Sequence, residues 1–288
     1  MPELPEVETT ILNLRIKVRF RTFIDIWTDF KNIVKKPSSF EEFRKLIKNK
    51  KILRIWRAGK NIIFELSGGL SLLVHQKLTG HLIYGIWGLQ SGKWKSKISG
   101  PLEDKVNSYI HLIFWLDDGK MLALSDLRKF AKVELWKTKK LKESEEIKNL
   151  GPDPLKISSA EFKNCFKNKK GKIKHLLMDQ GIVSGIGNIY SDEILFKARI
   201  HPFREIKKLT NEEIERIYQT TKKILKKAIK LKGTSVSDYR LPAGGKGEFE
   251  KILKVYRREG EKCSRCGTII KRVKLAGRSA HFCPKCQV

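Results

Sequence analysis

Leu150-Gly-Pro-Asp-Pro154 divides this 288-residue chain into a β-rich part and a helical part. Two prolines and a glycine within five residues continue neither a helix nor a central strand, so the segment reads as a boundary. Before it, from Ile11 to about Phe130, short runs rich in β-branched and aromatic residues recur between Gly, Asp and Lys turns. They are Phe23 to Trp27, Ile52 to Trp56, Ile62 to Leu66, Leu70 to Val74, Ile110 to Leu116 and Met121 to Leu124. Such spacing predicts an antiparallel sandwich or barrel. Two helical patterns interrupt it, Pro5 to Arg15 and Phe40 to Lys48, the latter led by Ser38-Ser39 with Glu41 and Glu42 in its first turn. Between Gly85 and Asn107 a Gly, Ser and Lys-rich stretch has little periodicity and reads as a mobile, basic hairpin excursion.

After the boundary, helices are predicted over Ser158 to Lys169, Lys172 to Gln180, Ile189 to Lys197 and Asn211 to Leu231. Thr210 with Glu213 three residues on marks the start of the last as a capping box. A glycine-rich loop, Gly233 to Gly247, leads to a short predicted strand near Ile252 to Tyr256. Four of the five cysteines follow, as Cys263-x2-Cys266 and Cys283-x2-Cys286 with sixteen residues between the pairs. Two such knuckles complete a tetrahedral four-thiolate zinc site, and four thiolates leave no open position for a water, so the ion is structural. Cys165 lies in a Lys-rich helical stretch and reads as a plain, partly buried thiol.

Sixty-one Lys plus Arg against thirty-one Asp plus Glu give a formal charge of +30, and the 40% hydrophobic content is enough to fold, so the excess cations belong to a surface that meets a polyanion. The apolar runs, such as Leu70 to Val74, fall far short of the roughly 20 residues of a membrane span. Met1-Pro-Glu-Leu-Pro is too polar to open a signal peptide, which makes the cytoplasm the expected address. In Val183-Ser-Gly-Ile-Gly-Asn-Ile-Tyr190 two glycines precede a helix opening at Asn188. Unpaired amides at a helix start hold phosphate, although two glycines between helices also serve as plain turn chemistry. Lys172, Lys174, Lys197 and Arg199 around them favour a clamp that grips a nucleic-acid backbone without reading bases. Removal of Met1 before the small Pro2 would expose a prolyl amine. An α-amino group titrates near roughly 8, the helix behind it lowers that further, and Glu3 beside it can move protons. A secondary amine attacking a sugar C1′ yields the iminium needed for β-elimination, while on these residues alone an ordinary N-terminal arm with Pro5 at the first helical position is the better reading.

Met1-Pro-Glu-Leu-Pro-Glu-Val-Glu resembles the opening of the formamidopyrimidine-DNA glycosylase family (Fpg, or MutM). The likeness runs to the end of the chain. Arg57-Ala-Gly-Lys60 looks like the family's β-hairpin lysine, Asp126-Leu-Arg-Lys-Phe130 its strand-replacing loop, and Leu150 to Pro154 its interdomain hinge. Met178-Asp-Gln through Asn188 to Ile200-His-Pro202 is similar to its helix-two-turn-helix, and Cys263 to Cys286 to its zinc finger. The resemblance implies an α+β fold of two domains. These are an N-terminal β-sandwich catalytic domain (1–150) with flanking helices and a C-terminal helix-two-turn-helix domain (151–232), followed by a lesion-capping loop and four-cysteine zinc finger (233–288).

It also implies an activity: a bifunctional glycosylase and abasic-site lyase of base excision repair that removes oxidised purines (8-oxoguanine, formamidopyrimidines) and nicks by β,δ-elimination. Pro2 would attack C1′, Glu3 transfer protons and Lys60 serve the sugar and phosphate chemistry. Arg128, Phe130 and Leu78 would plug the gap left by a flipped base. Leu78, in His75-Gln-Lys-Leu-Thr-Gly80, stands where the family usually has the more pliant methionine. His75, Asn188 and Arg278, the last in the turn Ala276-Gly-Arg-Ser, are the further DNA contacts implied. One structural Zn²⁺, damaged double-stranded DNA as partner, no membrane, a monomer and a nucleoid-associated cytoplasmic address complete the expectation. Lys93, Lys95 and Lys97, interleaved with Trp94 in a segment longer than the family pattern, would extend the DNA footprint or simply be solvated. A non-catalytic zinc-ribbon protein would share the charge and the cysteines but needs no free Pro2. A relative acting on oxidised pyrimidines would differ in substrate alone.

Overall fold

The computed structural model describes every residue except Ala276, which leaves that one position of the predicted finger turn outside the described residues. The chain forms two compact units, Met1–Lys148 with Leu231–Glu250, and Asn149–Lys230 with Lys251–Val288.

The first unit opens with α1 (Leu4–Val18), whose residues Val7, Ile11, Leu14 and Val18 recur every three or four positions and are fully buried. Strands β1 (Phe23–Thr28), β2 (Val34–Lys36), β3 (Ile52–Ala58), β4 (Asn61–Leu66), β5 (Leu70–His75) and β6 (His81–Gly85) follow, with α2 (Phe40–Ile47) between β2 and β3. Next come β7 (Trp87–Gln90), β8 (Lys93–Ser96), β9 (Ile110–Leu116), β10 (Met121–Ser125) and β11 (Lys132–Lys137), then the short helices α3 (Thr138–Glu143) and α4 (Glu145–Lys148). Two sheets of order β1-β9-β10-β6 and β2-β11-β5-β4-β3 are formed. Pairing is antiparallel except between β11 and β2, which run parallel. Phe23, Leu112, Phe114 and Leu124 of one sheet share a core with Ile55, Ile62, Phe64, Val74 and Val133 of the other, closed by the buried face of α1. This is the expected sandwich.

Two sequence readings are corrected. The stretch from Gly85 to Asn107 is an ordered excursion: β7 and β8 pair as an antiparallel ribbon, and Trp94 packs edge-on against Trp27 and Trp115, with ring centroids 5.2 and 6.1 Å away. Those two rings lie on β1 and β9, so local periodicity carried no sign of the packing. The strand near Ile252 to Tyr256 does not form. The backbone N–H groups of Lys254, Val255 and Tyr256 instead donate to the buried carboxylate of Glu193, at 3.0, 2.9 and 3.0 Å to Oε1, which takes the place of a neighbouring strand.

The second unit contains α5 (Ser159–Cys165), α6 (Ile173–Met178), α7 (Asn188–Ala198) and α8 (Asn211–Lys230), followed by the hairpin β12 (Lys271–Leu275) and β13 (Arg278–Phe282). The capping box of α8 is made as predicted, with Glu213 N–H to Thr210 Oγ1 at 3.2 Å and Thr210 N–H to Glu213 Oε2 at 2.9 Å. The segment 233–288 was expected as one piece. Its first part groups with the sandwich because Thr234 N–H and the Tyr239 hydroxyl donate to Glu6, and Tyr84 N–H donates to Pro242 O. Among the described residues no helix is long and apolar enough to cross a membrane.

Candidate active site

In the first unit, Pro2 and Glu3 are buried directly before α1, with Glu3 as the residue capping the helix. Glu3 N–H donates to Glu6 Oε2 at 2.8 Å, and Glu6 Oε1 accepts Thr234 N–H at 2.7 Å, so one buried carboxylate holds both the start of the chain and the start of the 234–248 loop. The Met1 amine in this setting lies below its usual 8.0, mainly because burial penalises the charged form; Lys60 adds to the depression while Glu3 and Glu6 oppose it.

Lys60 is 6% exposed and sits on a two-residue turn between paired Ala58 and Asn61. Gly59 takes φ +56° there, which is why glycine precedes the lysine. Arg57 braces the turn, donating Nη1 to Gly59 O at 3.2 Å and Nε to Glu8 Oε2 at 2.8 Å. His75 pairs across strands with both Asn61 and Lys132. Its Nδ1 accepts Lys77 N–H at 2.9 Å, which places the neutral ring's proton on Nε2. Burial, then the cations of Lys77, Lys132 and Lys60, push its pKa down to about 3. It therefore offers a donor to a ligand, not a charge.

The predicted plug residues lie together. Asp126, fully buried, organises their loop: its carboxylate accepts the Thr79 hydroxyl, Arg128 N–H at 3.3 Å and Ala131 N–H at 2.7 Å. This ties the Leu78 turn to the 127–130 loop and leaves Phe130 half exposed with the Arg128 guanidinium 4.6 Å over its ring. Leu78 and Phe130 share an open groove of about 350 Å³ with Met1, Lys35, Lys77, Lys129 and Ala131, a lining with three cations and no acid.

The second unit braces the glycine turn that leads into α7. Gln180 donates Nε2 to Met178 O and Ile186 O, both at 2.8 Å, and accepts Gly185 N–H at 2.8 Å, fixing the α6 to α7 connection where Gly185 has φ +92°. Asn188 opens α7 with its side-chain oxygen buried and without a protein partner. Arg278 is exposed at the start of β13, near Lys174, His175, Met178, Asp179 and Leu275 around a small cleft of about 190 Å³. Lys174 is no surface cation, contrary to the sequence reading. It is 1% exposed and donates to Asp192 Oδ1 at 2.5 Å and Ser279 O at 2.7 Å. Asp192 Oδ2 also accepts His281 N–H at 3.0 Å, so it fastens β13, and with it Arg278, to α6 and α7.

The four thiol sulfurs of Cys263, Cys266, Cys283 and Cys286 lie within 4.8 Å of one another, with Cys263 to Cys286 at 3.9 Å and Cys266 to Cys283 at 3.5 Å. A tetrahedron of Zn–S bonds near 2.3 Å has edges of about 3.8 Å, so these residues fit one structural zinc ion. It would lock the two knuckles that carry β12 and β13.

Asp126, Glu6, Arg57 and Asp192 had no role in the sequence reading. Asp126 and Arg57 stand inside quoted motifs, and Glu6 stands three residues after the helix-capping Glu3, a spacing that signals reciprocal capping. Nothing local marks Asp192.

A sandwich opening on a buried Pro-Glu pair, a glycine turn at the start of a helix and a four-thiol finger, in a chain of net charge +30, make up a protein of the nucleic-acid-binding class. Family models agree along its length: the formamidopyrimidine-DNA glycosylase N-terminal domain matches residues 1–133, the H2TH domain of that glycosylase 150–240, and the zinc finger found in FPG and IleRS 260–288. The formamidopyrimidine-DNA glycosylase of Pelotomaculum thermopropionicum is 37% identical over all of this chain and 99% of its own. That of Bacillus cereus is 34% identical with the same coverage. Among solved structures, Lactococcus lactis Fpg in complex with Fapy-dG-containing DNA aligns with TM-score 0.85 at 33% identity, and its complex with abasic-site DNA does likewise, each over 99% of both chains. The chain belongs to the formamidopyrimidine-DNA glycosylase family.

Proposed function

We propose that this chain excises oxidised purines, 8-oxoguanine and formamidopyrimidines, from duplex DNA and then cuts the strand at the resulting abasic site. With Met1 removed, the Pro2 nitrogen attacks C1′ of the flipped nucleotide, and the C1′ to base bond breaks as the base departs with a proton. Glu3 moves protons at the opened sugar, and the iminium on C1′ accepts the electron pair released when C2′ loses its proton. Loss of the 3′ phosphate, then of the 5′ phosphate, completes β,δ-elimination. Lys60, on its short turn, contacts the sugar and phosphates. Arg128, Phe130 and Leu78 fill the vacated stack, His75 gives a neutral donor, and Asn188 with Arg278 grip the flanking backbone. The protein acts as a monomer in the cytoplasm, on the nucleoid.

The observation that carries this reading is the environment of the terminal amine. Burial at the head of α1, with the Lys60 cation adding to it, lowers the pKa of an amine at the start of this chain below its usual 8.0, the direction that favours the neutral, nucleophilic form. Borohydride reduction during reaction with 8-oxoguanine:C duplex should give a covalent protein–DNA adduct that Pro2→Gly does not form. A wild-type protein with intact N-terminal proline that gives no adduct on 8-oxoguanine, abasic or thymine-glycol DNA would leave only a binding function. An adduct on thymine-glycol DNA alone would move the substrate to oxidised pyrimidines.

A further inference from the structure

Within the first unit, the return leg of the ribbon insert, Pro101 to Ser108, supports the loop from Thr234 to Glu248. Arg240 is 5% exposed and donates Nε to Asp104 Oδ2 at 3.0 Å; its Nη1 donates to Ser237 O at 3.0 Å and Tyr239 O at 2.9 Å. One guanidinium thus binds the loop to the insert and folds it on itself. Asn107, 1% exposed, donates Nδ2 to Gly244 O at 3.3 Å and Pro101 O at 2.8 Å, while its Oδ1 accepts His81 Nε2 at 2.9 Å. Gly244 has φ +86°, and a Cβ there would stand 2.6 Å from Leu102 N and from the Pro101 carbonyl. Leu102 is anchored in turn in the tryptophan-lined cluster of Ile83, Trp87 and Ile113. The far end of the loop is held by Glu6, which accepts Thr234 N–H and also Glu3 N–H.

We propose that the Pro101 to Ser108 segment is a strut that fixes the 234–248 loop in its working conformation before DNA arrives, which makes Asp104, Asn107 and Arg240 positioning residues for base excision. This rests on the function proposed above and on the family resemblance, which implies that the loop covers the extruded base. A loop already ordered loses little conformational freedom when it closes on a base. An abasic site presents no base to cover, so strand cutting there does not need the strut.

The test uses full-length protein, three disruptive variants and one conservative variant. Asp104→Asn keeps an oxygen for Val106 N–H but removes the charge facing Arg240, Arg240→Gln removes the cation, and Gly244→Ala forces the backbones apart. Hydrogen exchange of the 241–247 amides should quicken about tenfold or more in each variant. Single-turnover excision of 8-oxoguanine should fall about fivefold or more, with cutting of a preformed abasic site within about twofold of wild type. Arg240→Lys should recover part of both losses. Unchanged exchange in all three variants, or a parallel fall of excision and abasic cutting, would overturn the strut. Failure of the underlying function would show instead as wild-type protein without a trapped adduct, whatever the exchange rates.

Discussion

Replacing Asp126 by alanine tests whether the plug loop is held from beneath. The carboxylate accepts three donors, and two of them, the Thr79 hydroxyl and Ala131 N–H, belong to residues only 7% and 1% exposed. Arg128 N–H also donates to Thr79 Oγ1 at 3.1 Å and keeps that acceptor. Each buried donor left unmet costs roughly 1–3 kcal/mol, so Asp126→Ala should destabilise the first unit by about 4 kcal/mol. At roughly 2–4 °C per kcal/mol for a unit of this size, Tm should drop by about 8–16 °C. Asp126→Asn keeps one acceptor but turns an amide N–H₂ toward another donor, and should lose about half as much. Calorimetry reads the stability. Single-turnover excision of 8-oxoguanine at 20 °C, where both variants stay folded, should be reduced at least about tenfold for Asp126→Ala because Arg128 and Phe130 are no longer held over the groove. A Tm within 2 °C of wild type together with unchanged excision would refute this account of the loop.

Two further outcomes follow from the site's charges. His75 is held neutral in the fold, with its pKa lowered from 6.5 to about 3, while the unfolded chain protonates it near 6.5. The unfolded state therefore binds the extra proton as pH falls from 6.5 toward 3, and stability drops over that window, by up to about 2 kcal/mol at pH 5. His75→Gln should abolish that component of the urea-midpoint change between pH 6.5 and 5, and an identical pH dependence in the variant would contradict the depressed pKa. Arg278→Ala, if the guanidinium meets a phosphate, should lessen the slope of log K against log salt for duplex binding by about 0.9, and an unaltered slope would remove Arg278 from the interface.

Much of the sandwich was legible because its strands are apolar runs bounded by turn residues, and Ile110 to Leu116 is found with the same bounds. β6 escaped because its apolar run, Leu82 to Tyr84, is only three residues long between His81 and Gly85, too short to stand out as a strand. β11 escaped because it follows directly on a loop motif and its pairing partners, β5 and β2, are distant in sequence. The fate of Lys254 to Tyr256 depended on Glu193, about sixty residues earlier, which no local pattern announces. The candidate site shows the same division. Pro2, Glu3, Lys60 and the cysteines belong to motifs read along the chain. Asp126, Glu6 and Asp192 act by receiving N–H and O–H donors from positions 47, 228 and 89 residues away, and only the folded chain brings those together.

The shortness of the Gly59-Lys60 connection carries an engineering lesson. Adding or deleting a single residue in either arm would send every later side chain of that arm to the opposite face of the sheet, taking the lysine away from the buried amine's neighbourhood. Length changes are best made at the tip of the outer ribbon, Gln90 to Gly92, where neither Ser91 nor Gly92 is pinned by the core and a reporter group could be inserted without disturbing the chemistry.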